Sequence, residues 1–166
     1  MSTLSGLPSA EAVMVMAVQP PQTESVLLHP AEGLVTSLFG ERENPVLGTE
    51  EFHNGIDIAL IENTPLVAVA DGVITEIRNS TTYGLMVYYE TKNDFQVMYA
   101  HLNEVLFDVG EVVEKGTVIA KSGNTGLSTG PHLHYSLWKN GELQDPLLYV
   151  SLDLTAEAMA EYKGGI

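Results

Sequence analysis

The stretch "LMVYYETKNDFQVMYAHL" (85–102) indicates the class of fold. Its two halves are rich in β-branched and aromatic residues, and they flank the short polar segment "KND". Two such runs on either side of a turn predict a β-hairpin. We therefore expect a core built of antiparallel strands.

Three further segments carry a strand–turn–strand pattern: "PLVAVADGVITEI" (65–77), "GEVVEKGTVIAKSG" (110–123) and "HLHYSLWKNGELQDP" (132–146). Their predicted turns are Asp71-Gly72, Lys115-Gly116 and Asn140-Gly141, and tight turns at such pairs join the two strands of a hairpin. Short strands at even spacing are typical of antiparallel sandwiches and barrels. The sequence thus predicts an all-β fold, a small antiparallel β-sandwich or barrel-like domain.

The two ends of the chain differ from this pattern. Residues 1–25 are rich in Ser, Pro and Glu, so we expect an N-terminal arm in which "QPPQTES" (19–25) is a linker. The β domain is expected over 26–150. Within the tail, 151–166, "TAEAMAEYKGG" combines a Thr cap, helix formers and a Gly-Gly stop, which predicts a short helix.

The composition excludes several classes of function. There are 22 acidic residues against 7 Lys and Arg, a formal net charge of −15, which argues against binding nucleic acid or anionic membranes. The chain has no cysteine, so disulfides and thiolate metal sites are excluded. The apolar run "AVMVMAV" (12–18) is too short to span a bilayer. We expect any export signal or anchor to be missing from this chain.

Four of the five histidines occur with a polar or acidic neighbour at a meaningful offset. "HNGID" separates His53 from Asp57 by four residues, and on a strand both would share one face with Gly55. Gly55 would leave a hole that an ion or substrate can enter. In "HLH", His132 and His134 also share a face. "YAHL" is expected to place His101 at a strand end, on the same side as Tyr99.

These residue types suit a catalytic metal site. Zinc takes a few nitrogen or oxygen ligands and keeps one position for water, so two histidines and one aspartate would leave the ion a Lewis acid. The remaining histidines could serve as general base or oxyanion stabiliser. Strand periodicity does not decide which member of the HxH pair binds metal. The fifth histidine, His29, precedes a proline and is expected to have no chemical role.

Together the segments "HNGIDIAL", "TPLVAVADGVI", "YAHL" and "GNTGLSTGPHLHYSL" resemble the LytM/lysostaphin-type zinc endopeptidases, in that order and over about residues 30–148. "VTSLFGERENPV" (35–46) resembles the segment that precedes the first ligand in that family. The resemblance implies a small antiparallel β fold with an open groove. It also implies cleavage of peptide stems or cross-links in bacterial peptidoglycan.

The resemblance assigns roles residue by residue. The HxxxD motif of the family implies that His53 and Asp57 are ligands of one Zn²⁺ ion, and the second histidine of HxH implies that His134 is the third. The catalytic pair would then be His101 and His132. The resemblance also implies an extracytoplasmic location. Neither the oligomeric state nor a regulatory partner of the divisome or sporulation type can be read from the sequence.

Two other interpretations are open. The family includes members that have lost ligands and act as scaffolds or activators, so a silent wall-binding or adaptor module is the alternative function. The hairpins around Lys115 are also similar to lipoyl and biotinyl carrier domains. However, "EKG" lacks the expected context for a modified lysine, and that interpretation leaves four histidines unexplained. The loops 41–52 and 78–84 are expected to form the groove walls.

Overall fold

The computed structural model describes residues 16–18, 27–43, 48–150 and 152–162. The strands are β1 (Met16–Val18), β2 (Leu34–Ser37), β3 (Gly40–Glu43), β4 (Glu50–His53), β5 (Ile56–Ala59), β6 (Pro65–Val67), β7 (Gly72–Ser80), β8 (Gly84–Thr91), β9 (Phe95–Val105), β10 (Val112–Val113), β11 (Val118–Ser122), β12 (His132–Lys139), β13 (Glu142–Gln144) and β14 (Leu152–Leu154). A 3-10 turn covers Pro146–Leu148, and the helix α1 covers Ala156–Glu161. The all-β prediction is confirmed.

Most strands belong to one open sheet, in the order β1-β14-β2-β5-β12-β9-β8-β7-β10. Three further strands belong to the sheet outside this order: β11 pairs with β9 and β6, and β13 pairs with β12. Strands β3 and β4 form a separate hairpin. The pairings are antiparallel except for β14 with β2, which is parallel. The strands β5, β12 and β9 lie side by side, and this arrangement carries the residues of the candidate site.

Two of the predicted hairpins form as expected. β8 pairs with β9 around "KND", and β12 pairs with β13 around Asn140 and Gly141. Both turn residues have positive φ, 51° for Asn140 and 83° for Gly141. Such a pair of left-handed residues matches the twist of the flanking strands, which is why Asn-Gly signals this turn reliably.

The other two predicted hairpins are wrong. Strand β6 pairs with β11, and β7 pairs with β10, so the segments 65–77 and 110–123 pair with each other and not within themselves. The two turns are tied together because the Asp71 carboxylate accepts a hydrogen bond from the Lys115 amide, at 2.7 Å. A turn signal shows where the chain reverses, but it does not specify which strand becomes the partner.

The core face of the sheet carries three fully buried tyrosines, Tyr89, Tyr99 and Tyr135. Tyr99 and Tyr135 are cross-strand partners on β9 and β12, and their rings meet edge to face at 5.7 Å. The hydroxyls of Tyr89 and Tyr99 are 2.8 Å apart, and burial raises the pKa of all three phenols. Because side chains alternate along a strand, the neighbours of these tyrosines point to the opposite face.

The C-terminal helix is confirmed, since Thr155 caps α1 through its hydroxyl, which accepts from the Ala158 amide. The predicted Gly-Gly stop lies outside the described residues, as do the predicted linker 19–25 and most of the arm. Residues Met16–Val18 of that arm form β1, which pairs with β14. Within the described ranges, no helix has the length and apolar character needed to cross a bilayer.

Candidate metal centre and active site

Asp57 and His134 face each other across the pairing of β5 with β12, in which they are register partners. His53 reaches the same place from the end of β4, and Asn54 and Gly55 form the connection to β5. The prediction that "HNGID" is one strand is therefore wrong. His53 and Asp57 meet because the chain turns between them, not because they alternate along a strand.

Gly55 has a different role from the one predicted. A Cβ atom at this position would lie 2.2 Å from the backbone oxygen of Tyr135 and 2.7 Å from Oγ of Ser136. The space beside Gly55 is thus filled by the backbone of β12 and does not admit an ion or substrate. The glycine allows the 54–55 connection to approach β12 closely, and that approach sets the position of His53 and Asn54.

Three donor atoms form a nearly equilateral triangle. Nε2 of His53 lies 3.3 Å from Oδ1 of Asp57, Nδ1 of His134 lies 3.1 Å from the same oxygen, and the two nitrogens are 3.2 Å apart. Tetrahedral zinc with bonds of about 2.0–2.1 Å requires ligand atoms about 3.3 Å apart. Among the described residues this His/Asp/His group could therefore hold a metal ion, and its donor set suits zinc.

The electrostatics of this group favour the protonation states that bind a cation. Burial acts to raise the pKa of Asp57, but the imidazoles of His134 and His53, whose ring nitrogens lie 3.1 Å and 3.3 Å from its carboxylate, outweigh it and hold that pKa well below its usual range. Burial lowers the pKa of His134. An ionised carboxylate beside a neutral imidazole is the state in which both can act as ligands.

The side chain of His101 points into the groove, although regular alternation of side chains along β9 would point it into the core. Tyr99 points into the core and its neighbour Ala100 pairs with His134, so regular alternation would bury His101 beside Tyr99. Instead, His101 has a left-handed backbone with φ of 62°, and its ring lies 4.7 Å from that of His132. The prediction that His101 shares the side of Tyr99 is wrong, because this conformation turns the imidazole to the groove face.

The left-handed conformation is held by several contacts. The amide of His101 donates to the carbonyl of Tyr83 at 2.8 Å, and Nδ1 lies 2.7 Å from the carbonyl of Thr125. A non-glycine residue in this region carries a strain of about 1–3 kcal/mol and persists only where its surroundings impose it. Burial also lowers the pKa of His101, which keeps the imidazole neutral near pH 7.

The protein holds three of the four groove histidines by backbone carbonyls. Nδ1 of His53 lies 2.8 Å from the oxygen of Leu38, and Nδ1 of His132 lies 2.8 Å from the oxygen of Gly130; His101 has its contact with Thr125 as described. A carbonyl oxygen can only accept, so in each case Nδ1 carries the proton and Nε2 keeps its lone pair. His132 Nε2 lies 3.7 Å from Asp57 Oδ1, beside the donor triangle.

The groove has walls of different origin. The β3–β4 hairpin supplies Arg42 and Phe52, and the segment after β7 supplies Tyr83, as predicted for the loops 41–52 and 78–84. Arg42 is paired with Glu51 at 3.0 Å. A further wall comes from residues 127–129, where Leu127 is 79% exposed. Two apolar side chains, Phe52 and Leu127, therefore stand at the groove with large exposed surfaces.

The structure brings all five predicted site residues into this groove, whereas Nε2 of His29 lies outside it, 3.1 Å from Oε2 of Glu32. Sequence reasoning missed Asn54, Tyr83, Thr125 and Ser136, which contact the site histidines. Asn54 and Ser136 stand inside the quoted motifs "HNGID" and "HLHYS", so their proximity to the ligands in sequence was an available signal.

Comparisons with known proteins identify the family of this chain. The family model described as Peptidase family M23 matches residues 51–146. The DD-carboxypeptidase/endopeptidase Mpg of Neisseria meningitidis is 42% identical over 113 residues, which are 68% of this chain and 26% of that protein. The peptidoglycan DD-endopeptidase ShyA of Vibrio cholerae is 39% identical over 108 residues, 64% of this chain and 25% of that protein.

A solved structure has the same fold. A zinc-containing peptidase from Vibrio cholerae superposes with a TM-score of 0.68 at 30% identity, over 75% of this chain and 39% of that one. The chain spans about a quarter of the length of the two curated relatives. Since the family model covers more than half of the chain and includes all five site residues, the chain belongs to peptidase family M23.

Proposed function

We propose that this chain is a zinc-dependent metalloendopeptidase that hydrolyses peptide bonds in the stems or cross-bridges of bacterial peptidoglycan. The observation that carries the proposal is the triangle of Nε2 of His53, Oδ1 of Asp57 and Nδ1 of His134, with sides of 3.1–3.3 Å, next to a second histidine pair. The names of the two relatives, a DD-carboxypeptidase/endopeptidase and a peptidoglycan DD-endopeptidase, support a bond between two D-configured residues as the one that is cut.

In this proposal His53, Asp57 and His134 hold one Zn²⁺ ion, and His101 and His132 are the catalytic pair. Zinc, when bound, polarises a carbonyl and lowers the pKa of a coordinated water to about 7. The chain supplies the rest: a neutral imidazole with a free Nε2 accepts the proton of the attacking water, and the other imidazole of the pair, when it carries a second proton on Nε2, donates from that nitrogen to the developing oxyanion.

The tautomers suit these roles. The contacts of His101 with the Thr125 carbonyl and of His132 with the Gly130 carbonyl leave Nε2 of both rings available to the groove. The lowered pKa of His101 favours the neutral form, which a general base requires. Because each ring is already anchored at Nδ1, little reorganisation is needed when substrate binds.

A location outside the cytoplasm follows from the same proposal, since peptidoglycan lies there. The acidic side chains around the groove hairpin, with Arg42 paired to Glu51, are compatible with a substrate that carries a free amine.

The test is release of soluble muropeptides from purified peptidoglycan, read by mass spectrometry, with zinc-loaded and chelated protein in parallel. Zinc-dependent release with new D-configured termini is the expected result. Retention of peptidoglycan by zinc-loaded protein without any release would contradict the proposal and favour a silent wall-binding module. Release that is unaffected by chelation would contradict the role of the metal.

A further inference from the structure

His134 differs from the other three groove histidines in how it is held. Its Nδ1 belongs to the donor triangle, whereas Nδ1 of the other three contacts a backbone carbonyl. Its Nε2 lies 2.8 Å from Oδ1 of Asn54 and 3.0 Å from Oγ of Ser136. Both partners are side chains, so substitution can remove them without altering the course of the backbone.

The side-chain amide of Asn54 determines which nitrogen is protonated. Its oxygen can only accept, so Nε2 of His134 must donate, and the lone pair then stands on Nδ1. The Ser136 hydroxyl, 3.4 Å from the same Asn54 oxygen, donates to it while accepting from Nε2. The Asn54 oxygen therefore imposes this tautomer, and the Ser136 hydroxyl, which can donate or accept, is compatible with it.

The other end of the amide is also fixed. Nδ2 of Asn54 donates to the hydroxyl of Tyr83 at 3.4 Å, and the Tyr83 ring lies 5.4 Å from the ring of His134. This contact sets which end of the amide faces the imidazole. The backbone of Tyr83 meanwhile accepts from the His101 amide. One residue thus contacts both the support of His134 and the backbone of His101.

We propose that Asn54, assisted by Ser136, is a positioning residue that fixes the orientation and tautomer of His134 so that Nδ1 can bind the metal ion. The inference rests on the proposed function, because it takes His134 as a zinc ligand. Groups that accept the second N–H of a metal-bound histidine typically contribute about 10- to 100-fold to metal affinity. The HxxxD motif specifies His53 and Asp57 but leaves position 54 open, so it does not identify Asn54.

The experiment measures the dissociation constant of zinc by competition with a chromophoric chelator. It compares the wild type with Asn54→Ala, Asn54→Asp, Ser136→Ala and the Asn54→Ala/Ser136→Ala pair. Asn54→Ala should weaken zinc binding about 10- to 100-fold, and the pair should weaken it further. Asn54→Asp keeps an acceptor for Nε2–H and should bind zinc at least as tightly as the wild type. Tyr83→Phe keeps the ring but removes the hydroxyl that accepts from Nδ2 of Asn54, so it should weaken zinc binding less than Asn54→Ala, in which the acceptor of the Nε2 proton is itself lost.

A spectroscopic measurement separates positioning from a general loss of structure. In the zinc-loaded wild type, the Nε2 proton of His134 should give a slowly exchanging downfield proton resonance, which His134→Ala would assign. That resonance should disappear in the Asn54→Ala/Ser136→Ala pair and persist in Asn54→Asp. Thermal unfolding of the zinc-free variants shows whether they fold.

The outcomes distinguish this inference from the proposed function. Zinc affinity within twofold of the wild type in the Asn54→Ala/Ser136→Ala pair would overturn the inference, whatever the protein does to peptidoglycan. Failure of Asn54→Asp to restore affinity would overturn it as well. If zinc affinity changes as expected but the wild type releases no muropeptides, the inference stands and the proposed function is wrong. A wild type that binds no zinc would overturn both.

Discussion

His134 and the pair formed by His101 and His132 are held in the groove by different means. On the side of the donor triangle, His134 is oriented by the side chains of Asn54 and Ser136, within the regular pairing of β5 and β12. On the other side, His101 and His132 are oriented by the carbonyls of Thr125 and Gly130, in the irregular segment between β11 and β12. The first arrangement depends on residue identity, and the second depends on the path of the backbone.

This difference predicts which substitutions each side tolerates. A side-chain support is lost when one residue is changed. A carbonyl support survives any substitution that leaves the backbone in place, so only changes that move the chain should affect it.

The largest effect is expected at the donor triangle. His53→Ala removes Nε2 of His53 from the donor triangle, and we expect the two remaining ligands, Asp57 and His134, to be too few to retain zinc. Zinc content after gel filtration, measured by atomic emission, should fall to background, and muropeptide release should fall with it. The circular dichroism spectrum should remain that of a β protein. Full zinc occupancy in this variant would rule out His53 as a ligand.

The next effect concerns His101 and His132, the pair proposed as catalytic. His101→Ala should keep zinc, because its ring is not a corner of the triangle. It should nonetheless lose activity by about 100- to 1000-fold, the usual cost of removing one transition-state hydrogen bond of this kind. Initial rates of muropeptide release at equal zinc content measure this effect. Cleavage at a near-normal rate would show that His101 has no catalytic role.

A glycine substitution should disturb the catalytic side through the backbone alone. A Cβ at Gly84, where φ is 64°, would lie 2.5 Å from the carbonyl carbon of Thr125. Gly84→Ala should therefore displace the carbonyl that holds His101, destabilise the fold by more than about 1 kcal/mol, and lower activity without lowering zinc affinity.

The matched control is Gly110→Ala. Gly110 also has positive φ, 94°, but no atom lies within 4 Å of an added Cβ, so this variant reports backbone strain alone. Activity and urea denaturation are compared for both. Equal loss of activity in the two variants, or loss of zinc from Gly84→Ala, would contradict this role of the Thr125 carbonyl.

The smallest effect is on stability against pH. Burial lowers the pKa of His101 and His134 below the ordinary 6.5. The unfolded chain therefore binds more protons than the zinc-free folded protein once the pH drops below that value. Stability should be fully present above pH 6.5 and should fall as the pH drops, by at most about 1.4 kcal/mol per pH unit for each histidine. The depressed pKa of Asp57 acts in the same direction only near and below its ordinary 3.8.

Urea denaturation of the zinc-free protein at pH 7.5 and 5.5 measures this loss. His101→Asn should reduce the dependence on pH. Stability that is equal at the two pH values would contradict the assigned direction of both shifts.

Much of the site could be predicted from the sequence because the motifs carry its chemistry. The residue types and order of "HNGID", "YAHL" and "HLH" resemble a known family closely enough to assign a role to each of the five residues. The hairpins at 85–102 and 132–144 were predictable as well, because each is closed by a local turn between neighbouring strands.

The sequence by itself therefore determined the all-β class, the local hairpins, the helix cap and the chemical inventory of the groove. Only the tertiary structure decided that 65–77 pairs with 110–123, that β12 backbone fills the space at Gly55, and that a left-handed backbone turns His101 out of the core. The tertiary structure also decided the histidine tautomers, through the contacts with Thr125, Gly130 and Asn54. Side-chain alternation and turn signals report on residues that are neighbours in the chain. Strand pairing joins distant segments, and several contacts that orient the histidines come from residues 15 to 80 positions away in the sequence.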